Sequence, residues 1–257
     1  MRTRVPRSIL RRIRGEKVKA IPIAAPIRAQ PAAISWTRFG IATAGAGLVL
    51  ASFRQRAAYC AAAETSSFTK SHAGALFKGE GDPREATSLA DFRARDIDGK
   101  LVDLAAYAAP GRVVLVVNVA CKCGLTDSNM RELAQLHDEH GGRGFAVLAF
   151  PSNSFHQEPG DAAQIAATVR QQFGAHFPLF DKVDVNGADA HPLFKWLNAR
   201  APGMLGVERV QWNFTKWLLV DGQVVQRYAP TTSPTKVFED VEKHLQQAEQ
   251  TKKEEAE

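Results

Sequence analysis

The 257-residue chain has a formal net charge of +6, but its basic residues are concentrated at one end. Residues 1–63 hold twelve Lys and Arg and one acidic residue, so the rest of the chain carries a net charge of −5. A nucleic-acid-binding domain needs basic residues on its folded surface, and this distribution argues against that function. The three cysteines are too few for a disulfide-stapled secreted scaffold and favour a catalytic or redox role.

Residues 1–63 have the composition of a targeting leader, rich in arginine and poor in acidic residues. An uncharged, weakly apolar segment at 39–53 is shorter than the ~20 residues that span a bilayer. We interpret the leader as a mitochondrial presequence, with a plastid-type route as the main alternative. A short membrane anchor at 39–53 and a disordered solvated tail are the other interpretations. Cys60 lies in this leader and is not a catalytic candidate.

The rest of the chain is predicted to form one domain over 88–247, between a Ser-, Gly- and Pro-rich linker at 64–87 and a charged tail at 248–257. In chain order, the apolar pattern predicts a hairpin over 92–104, a strand over 113–119, a helix from Thr126 or Asp127 to Gly141, a strand over 145–150, a helix over 161–173, a short helix over 191–197, a hairpin over 216–228 and a closing helix around 237–245. This order predicts an α/β, thioredoxin-like fold, with a central mixed sheet flanked by helices and an N-terminal targeting extension.

Cys123 lies where the buried strand at 113–119 gives way to the helix predicted from Thr126 or Asp127. A thiol at this junction lies at the positive end of the helix dipole, which favours the nucleophilic thiolate. The alternative is a buried structural cysteine, since free cysteines are among the most buried residues. The position therefore makes Cys123 a candidate for redox or covalent chemistry.

The other candidate residues lie in three segments further along the chain, at 148–160, 189–197 and 211–217. The first segment leaves the C-terminal end of a predicted strand, where sites form in parallel α/β sheets. Taken singly, Gln157 is typical of a polar turn position, Asn213 of a turn and Trp212 of a packed core. His156 and His191 are interpreted as a surface residue and a helix-start residue rather than as metal ligands or acid–base groups.

Together, these segments closely resemble the sequence motifs of the glutathione peroxidase family. The matching runs, in the family's order, are 118–126, 150–160 and 212–216, with supporting matches at 177–187 and 191–193. The resemblance covers about 88–247, nearly the whole predicted domain. It implies that Cys123 is the peroxidatic residue and that Gln157, Trp212 and Asn213 complete a catalytic tetrad.

The resemblance implies a thiol-dependent peroxidase that reduces hydrogen peroxide and organic or lipid hydroperoxides. Such a reaction needs a thiolate to attack one oxygen and donors to stabilise the thiolate and the leaving alkoxide. The amides of Gln157 and Asn213 and the indole of Trp212 are neutral donors that add no competing charge. Cys123 would become a sulfenic acid that thiols reduce through a mixed disulfide. We expect no bound cofactor and no metal.

The chain departs from the family pattern close to the candidate site. Cys121 replaces the usual serine, and Ser152 stands where many members carry a second cysteine. Ser154 replaces a usual glutamine. One residue is also deleted before Gln157, a shortening that can move its side chain away from Cys123.

The expected reductant follows from the position of the cysteines. Thioredoxin-dependent members carry a resolving cysteine in the helix that here spans 161–173, where Arg170 stands near the expected place. Glutathione is therefore the expected reducing co-substrate, and another small or protein thiol would also fit. In the alternative, Cys121 resolves Cys123 and thioredoxin reduces the disulfide, although a one-residue spacer makes a small strained ring and adjacent strand residues tend to point apart.

The connection between Leu197 and Gln211 is short, as in the monomeric, phospholipid-hydroperoxide type of the family, which lacks an oligomerisation insert. An open site of this type would admit bulky lipid hydroperoxides and allow contact with a membrane surface.

Two other function classes are alternatives to a peroxidase: a redox sensor that passes oxidation from Cys123 to a partner protein, and a copper-binding module. The Cys-Lys-Cys spacing and the run at 212–216 argue against the copper module.

Overall fold

The computed structural model describes residues 76–255, all of which belong to the unit Ala63–Glu257. Its strands are β1 (Arg93–Arg95), β2 (Leu101–Asp103), β3 (Val113–Val119), β4 (Phe145–Pro151), β5 (Lys216–Val220) and β6 (Gln223–Tyr228). Its α-helices are α1 (Thr126–His140), α2 (Ala162–Ala167), α3 (Pro192–Arg200) and α4 (Pro234–Glu254). The predicted leader at 1–63, with its apolar segment and Cys60, lies outside the described residues.

A central sheet with strand order β4-β3-β5-β6 forms the middle of the domain. β3 and β4 are parallel, whereas β5 runs antiparallel to both β3 and β6. β1 and β2 form a separate antiparallel hairpin. The predicted mixed sheet and both predicted hairpins are therefore confirmed. The carboxyl ends of β3 and β4 lie side by side, which brings the segments that follow them to one edge.

Every residue of β3 is buried, because both faces of the sheet are covered. Odd-numbered positions such as Leu115 and Val117 face a core that includes residues of α1 and α4. Even-numbered positions such as Val114 and Val116 face a second core formed with α3 and the N-terminal hairpin. Full burial of such a side chain stabilises the fold by roughly 1.5–3 kcal/mol, which explains the continuous apolar run in the sequence.

His191 caps the start of α3, as the sequence predicts. Its ring nitrogen Nδ1 accepts a hydrogen bond from the backbone N–H of Leu193 at 3.2 Å, and Pro192 occupies the first helical turn. Burial lowers the pKa of His191 to about 4, so the ring is neutral at pH 7. The role of His191 in the structure is therefore that of a buried, neutral cap.

The helix predicted over 161–173 divides into two parts. It begins with a capping box in which the side chains of Asp161 and Gln164 bond each other's backbone N–H groups. α2 then changes to a π-helical segment at Thr168–Gln172, and its end is tied down by Arg170, whose guanidinium donates to the carbonyls of Ala175 and Phe177. π-helical turns are rare and often lie near functional sites.

The packed region begins before the predicted start at 88. Phe77 forms a β-bridge with Phe92, and their rings stack at 5.4 Å between centroids. The indole of Trp196 donates to the carbonyl of Ala86 at 2.8 Å. Residues 76–87, which the sequence pattern assigns to a linker, therefore contact the domain core. At the other end, α4 continues into the predicted charged tail, where residues 251–255 are exposed.

Within residues 76–255, no helix has both the length and the apolar character needed to cross a membrane.

Candidate active site

Cys123 lies in a tight loop between β3 and α1. The backbone N–H of Thr126 donates to the carbonyl of Cys123 at 3.0 Å, and the Thr126 hydroxyl donates to the carbonyl of Ala120 at 2.6 Å. These bonds close the loop and set Cys123 just before the first turn of α1, the junction that the sequence predicts. The residue is 7% exposed and belongs to the core cluster that also contains Val119 and Phe214. Cys123 is therefore largely buried but retains a small exposed fraction.

The segment after β4 pairs with the loop that precedes Cys123. The N–H of Lys122 donates to the carbonyl of Gln157 at 3.0 Å. One residue earlier, the N–H of Cys121 donates to Glu158 Oε2 at 2.7 Å. These two bonds join residues 121–122 to residues 157–158 and place Gln157 beside the Cys123 loop. Glu158 was not among the site residues predicted from the sequence; the signal that points to it is the Gln-Glu-Pro-Gly run at 157–160.

The one-residue deletion before Gln157 is absorbed by a tight turn. His156 adopts a left-handed conformation with φ of 57°, and its N–H donates to the carbonyl of Asn153 at 2.9 Å. The Asn153 side chain accepts the N–H of Glu158 at 3.0 Å. Because the turn closes in this way, the Gln157 side chain still reaches Asn213. His156 is exposed, as the sequence predicts.

The turn before β5 is attached to the end of β3 through Asn118. Its carbonyl accepts the N–H of Phe214 at 2.7 Å, and its amide Nδ2 donates to the carbonyl of Trp212 at 3.2 Å. Phe214 has a positive φ of 65°, which is unusual for a bulky residue and requires support from its surroundings. The Thr215 hydroxyl also donates to the Trp212 carbonyl, at 2.9 Å. Asn118 therefore holds the turn that carries Asn213, a role that was not predicted from the sequence.

The Asn213 side chain is fully buried and meets Gln157. Its amide Nδ2 donates to Gln157 Oε1 at 2.9 Å. Asn213 Oδ1 is buried without a hydrogen-bond partner among the described residues. Since the carbonyl oxygen of Gln157 is already used, its Nε2 is left as a donor for another group.

Trp212 lies at the surface rather than in the core. It is 42% exposed, and its ring lies 5.2 Å from that of Phe155, centroid to centroid. The packed core position that is typical of a single tryptophan therefore does not apply to Trp212. The rings of Phe155 and Trp212 instead form an apolar surface patch beside Asn213.

The structure therefore joins Gln157 to Asn213 through their side chains, and Gln157 to the Cys123 loop through the backbone of Lys122. Within residues 76–255, no hydrogen bond links Cys123 Sγ to Gln157, Trp212 or Asn213. Nor does any cluster of three His, Cys, Asp or Glu side chains suited to a metal ion occur in that range. The loop that carries the Cys123 thiol is thus paired with the segment that carries the Gln157 amide, and a thiol together with neutral amide donors is suited to nucleophilic chemistry on a neutral substrate.

The two cysteines of the described region differ in environment. Cys121 is half-buried, and Cys123 is buried. Burial, together with a hydrogen bond to Glu158 and its negative charge, raises the pKa of Cys121 to about 12. Cys121 is therefore a protonated thiol at neutral pH and a poor nucleophile.

Lys216 supports the strained turn from within the core. It is fully buried, and its Nζ donates to the carbonyl of Phe214 at 2.8 Å and to that of Pro230 at 3.3 Å. Desolvation lowers the pKa of Lys216 to about 8, an effect that the charge of Glu132 opposes. The protein therefore keeps an ammonium group in its core to bind the carbonyl of the residue after Asn213.

Replacing Lys216 by methionine is expected to change the pH dependence of stability. The folded-state pKa of about 8 lies below the ordinary value of 10.5, so the unfolded chain binds more protons between these values. The free energy of unfolding of the parent chain therefore rises by about 3 kcal/mol as pH increases through this window. Lys216→Met lacks the titrating group and should lack this rise. The free energy of unfolding of both proteins, measured with denaturant at pH 7 and pH 10.5, checks this.

The exposed Lys236 provides the matched control for that prediction. The Lys236→Met variant should follow the parent chain at both pH values. If Lys216→Met also follows the parent, the ammonium of Lys216 is not desolvated in the way the structure indicates.

Known proteins of one family are similar to this chain. A family model described as glutathione peroxidase matches residues 89–198. A probable phospholipid hydroperoxide glutathione peroxidase of Citrus sinensis is 49% identical over 164 residues, which cover 63% of this chain and 96% of the relative. The probable phospholipid hydroperoxide glutathione peroxidase 6, mitochondrial, of Arabidopsis thaliana is 49% identical over 163 residues, covering 63% of this chain and 69% of the relative. The crystal structure of Trgpx in apo form has 39% sequence identity and a TM-score of 0.51, covering 63% of this chain and 98% of that chain.

Proposed function

The chain belongs to the glutathione peroxidase family, and from this premise we propose that it reduces hydrogen peroxide and organic or lipid hydroperoxides at Cys123 with glutathione as reductant. It is a thiol-dependent peroxidase, an oxidoreductase. The observation that carries the assignment of the site is the bond from Asn213 Nδ2 to Gln157 Oε1, formed beside the Cys123 loop. The roles of Cys123, Gln157, Trp212 and Asn213 in the reaction are part of this proposal.

In the first step, the Cys123 thiolate attacks the terminal oxygen of the hydroperoxide. The S–O bond forms as the O–O bond breaks, so the sulfur is oxidised to sulfenic acid and the peroxide is reduced. The leaving alkoxide takes a proton and departs as an alcohol, or as water from hydrogen peroxide. Gln157 Nε2 is the free donor that can stabilise the developing charge, and Asn213 fixes its orientation. Trp212 contributes an indole N–H at the mouth of the site.

In the second step, glutathione attacks the sulfenic sulfur, forms a mixed disulfide and releases water. A second glutathione thiolate then attacks this disulfide, which regenerates Cys123 and releases glutathione disulfide. Support for a small external thiol comes from the helix region at 161–173. No cysteine lies in it, and Arg170 ties its end to the following loop instead of leaving it free to unwind.

Lipid hydroperoxides are proposed as substrates because the segment that leads to Trp212 carries exposed apolar side chains. The short connection after α3 carries Met204 and Leu205, which are 77% and 93% exposed. Trp212 follows it at the edge of the site. We propose that the protein acts as a monomer and that this region contacts membrane surfaces that contain oxidised lipid.

The test of the proposed function is peroxide consumption by the full chain, with either glutathione and its reductase or thioredoxin and its reductase. Turnover with glutathione is expected for both hydrogen peroxide and phosphatidylcholine hydroperoxide. Turnover with thioredoxin alone would overturn glutathione as reductant and point to Cys121 as the resolver. Rapid oxidation of Cys123 without turnover in either system would favour a redox sensor that passes oxidation to a partner protein.

We also propose that the leader at 1–63 directs the protein to mitochondria. Its support is the Arg-rich, acid-poor composition, and one Arabidopsis thaliana relative carries a mitochondrial label whereas another carries a chloroplastic one. A fluorescent protein fused after the leader should accumulate in mitochondria. Accumulation in plastids, or retention in a membrane by the segment at 39–53, would contradict the proposal.

A further inference from the structure

Glu158 is an unusual carboxylate in this protein. Among the acidic residues at 76–255, it is the only one that is buried, with 1% of its surface exposed. No Lys, Arg or His in the same range forms an ion pair with it. Lys182 reaches the backbone carbonyl of Glu158, at 3.4 Å, rather than its carboxylate. A buried carboxylate without a cationic partner is costly for folding, so a benefit elsewhere is expected.

The carboxylate is directed at Cys121. Glu158 Oε2 accepts the backbone N–H of Cys121 at 2.7 Å, and the adjacent N–H of Lys122 donates to the carbonyl of Gln157. The backbone of Cys121 is thus held against the 157–158 segment. Forming a disulfide with Cys123 across a single intervening residue would require this backbone to rearrange.

The same carboxylate also acts on the Cys121 thiol, in addition to the effect of burial. The groups that act on this thiol are Glu158 from the segment after β4, Lys122 from its own loop and the Thr168 hydroxyl from the π-helical segment. After burial, Glu158 makes the largest contributions, and together they raise the pKa of Cys121 to about 12. A thiol with this pKa is almost entirely protonated at pH 7 and attacks a sulfenic acid slowly.

We propose that Glu158 is a positioning residue that keeps Cys121 out of the peroxidase cycle and so leaves the Cys123 sulfenic acid to an external thiol. The inference rests on the proposed function, in which Cys123 is the peroxidatic residue. The reaction that Glu158 suppresses is the condensation of Cys121–SH with Cys123–SOH, which yields the Cys121–Cys123 disulfide and water. The reaction that it favours is the same condensation with an external thiol, which yields the mixed disulfide and water.

The first test measures the reactivity of Cys121 alone. A Cys60→Ser/Cys123→Ser background leaves it as the only thiol of the chain, which has three cysteines. Glu158→Gln keeps an oxygen acceptor for the Cys121 N–H but removes the charge. We expect this substitution to increase the rate of alkylation by iodoacetamide at pH 8 by at least about tenfold, since each unit of pKa changes the thiolate fraction tenfold below the pKa.

The outcome that overturns the proposal is alkylation at the same rate in the parent background and in the Glu158→Gln variant. If Glu158→Gln fails to fold, Glu158→Asp decides, because it keeps a carboxylate but withdraws it from Cys121 by one methylene. Faster alkylation of Cys121 in Glu158→Asp supports the proposal, and an unchanged pH profile of alkylation overturns it. A purely structural role for Glu158 would leave this profile unchanged. Because neither measurement uses peroxide, both test Glu158 even if Cys123 is not the peroxidatic residue.

The second test follows the fate of oxidised Cys123 in a Cys60→Ser background with one equivalent of hydrogen peroxide and no external thiol. With Glu158 present, dimedone should trap Cys123 as the sulfenic acid. In the Glu158→Gln variant, peptide mapping should find the Cys121–Cys123 disulfide, and adding Cys121→Ser should abolish it. Formation of the disulfide at the same rate with and without the Glu158 charge would contradict the inference. Failure of Cys123 to oxidise at all would instead contradict the proposed function.

Discussion

Replacing Cys123 by serine is expected to lower kcat/KM for hydrogen peroxide by at least about 10³-fold, because a hydroxyl is scarcely ionised at neutral pH and cannot replace the thiolate. The residue lies in a closed loop at the start of α1, and serine differs from it by a single atom. The fold should therefore be retained, and the loss should appear in turnover rather than in stability. Stopped-flow measurement of peroxide consumption with glutathione present would give the rate constants.

Cys121→Ser is the matched control, because it makes the same one-atom change two residues earlier. It should keep most of the turnover with glutathione, since Cys121 is held as a protonated thiol beside Glu158. Substantial activity in Cys123→Ser, or loss of activity in Cys121→Ser, would contradict the assignment of Cys123 as the sole reacting sulfur.

The second large effect is expected at Asn213. Replacement by alanine removes the donor to Gln157 Oε1 and leaves the Gln157 amide free to rotate. Loss of one oriented donor in a catalytic site typically costs about 10²–10³-fold in rate, and we expect a decrease of this size in kcat/KM for Asn213→Ala. The thermal midpoint of each variant should be measured beside its kinetics, because Asn213 is fully buried.

A double-mutant cycle separates a shared role from two independent ones. If Asn213 acts by orienting Gln157, then Gln157→Ala should have a large effect alone and little further effect in the Asn213→Ala background. Additive losses would show that the two amides act separately. The bond between them would then be structural rather than part of the catalytic arrangement.

The main elements of the fold can be predicted from the sequence, because their signals are local. The continuous apolar run at 113–119 predicts a strand buried on both faces, and the structure confirms it. The Asp221-Gly222 pair predicts the hairpin of β5 and β6, and His191 before Pro192 predicts the start of α3. The junction at Cys123 is also local, since a strand, a short loop and a helix follow each other within the chain.

The arrangement around Cys123 was decided only by the tertiary structure, because its contacts join distant parts of the chain. The bonds from Asn118 to Trp212, from Cys121 to Glu158 and from Asn213 to Gln157 span 94, 37 and 56 residues. Periodicity and turn propensity carry no information on such pairings. The motif resemblance identified Gln157 and Asn213, but not that their side chains bond to each other.

Burial likewise could not be read from residue type. Tryptophan is typical of protein cores, yet Trp212 is 42% exposed. Glutamate and lysine are typical of protein surfaces, yet Glu158 and Lys216 are buried. Their placement depends on which segments meet at the carboxyl ends of β3 and β4 and before β5. The local pattern thus fixes the elements and the position of the thiol, while long-range packing decides which polar groups surround it, because only packing brings those segments together.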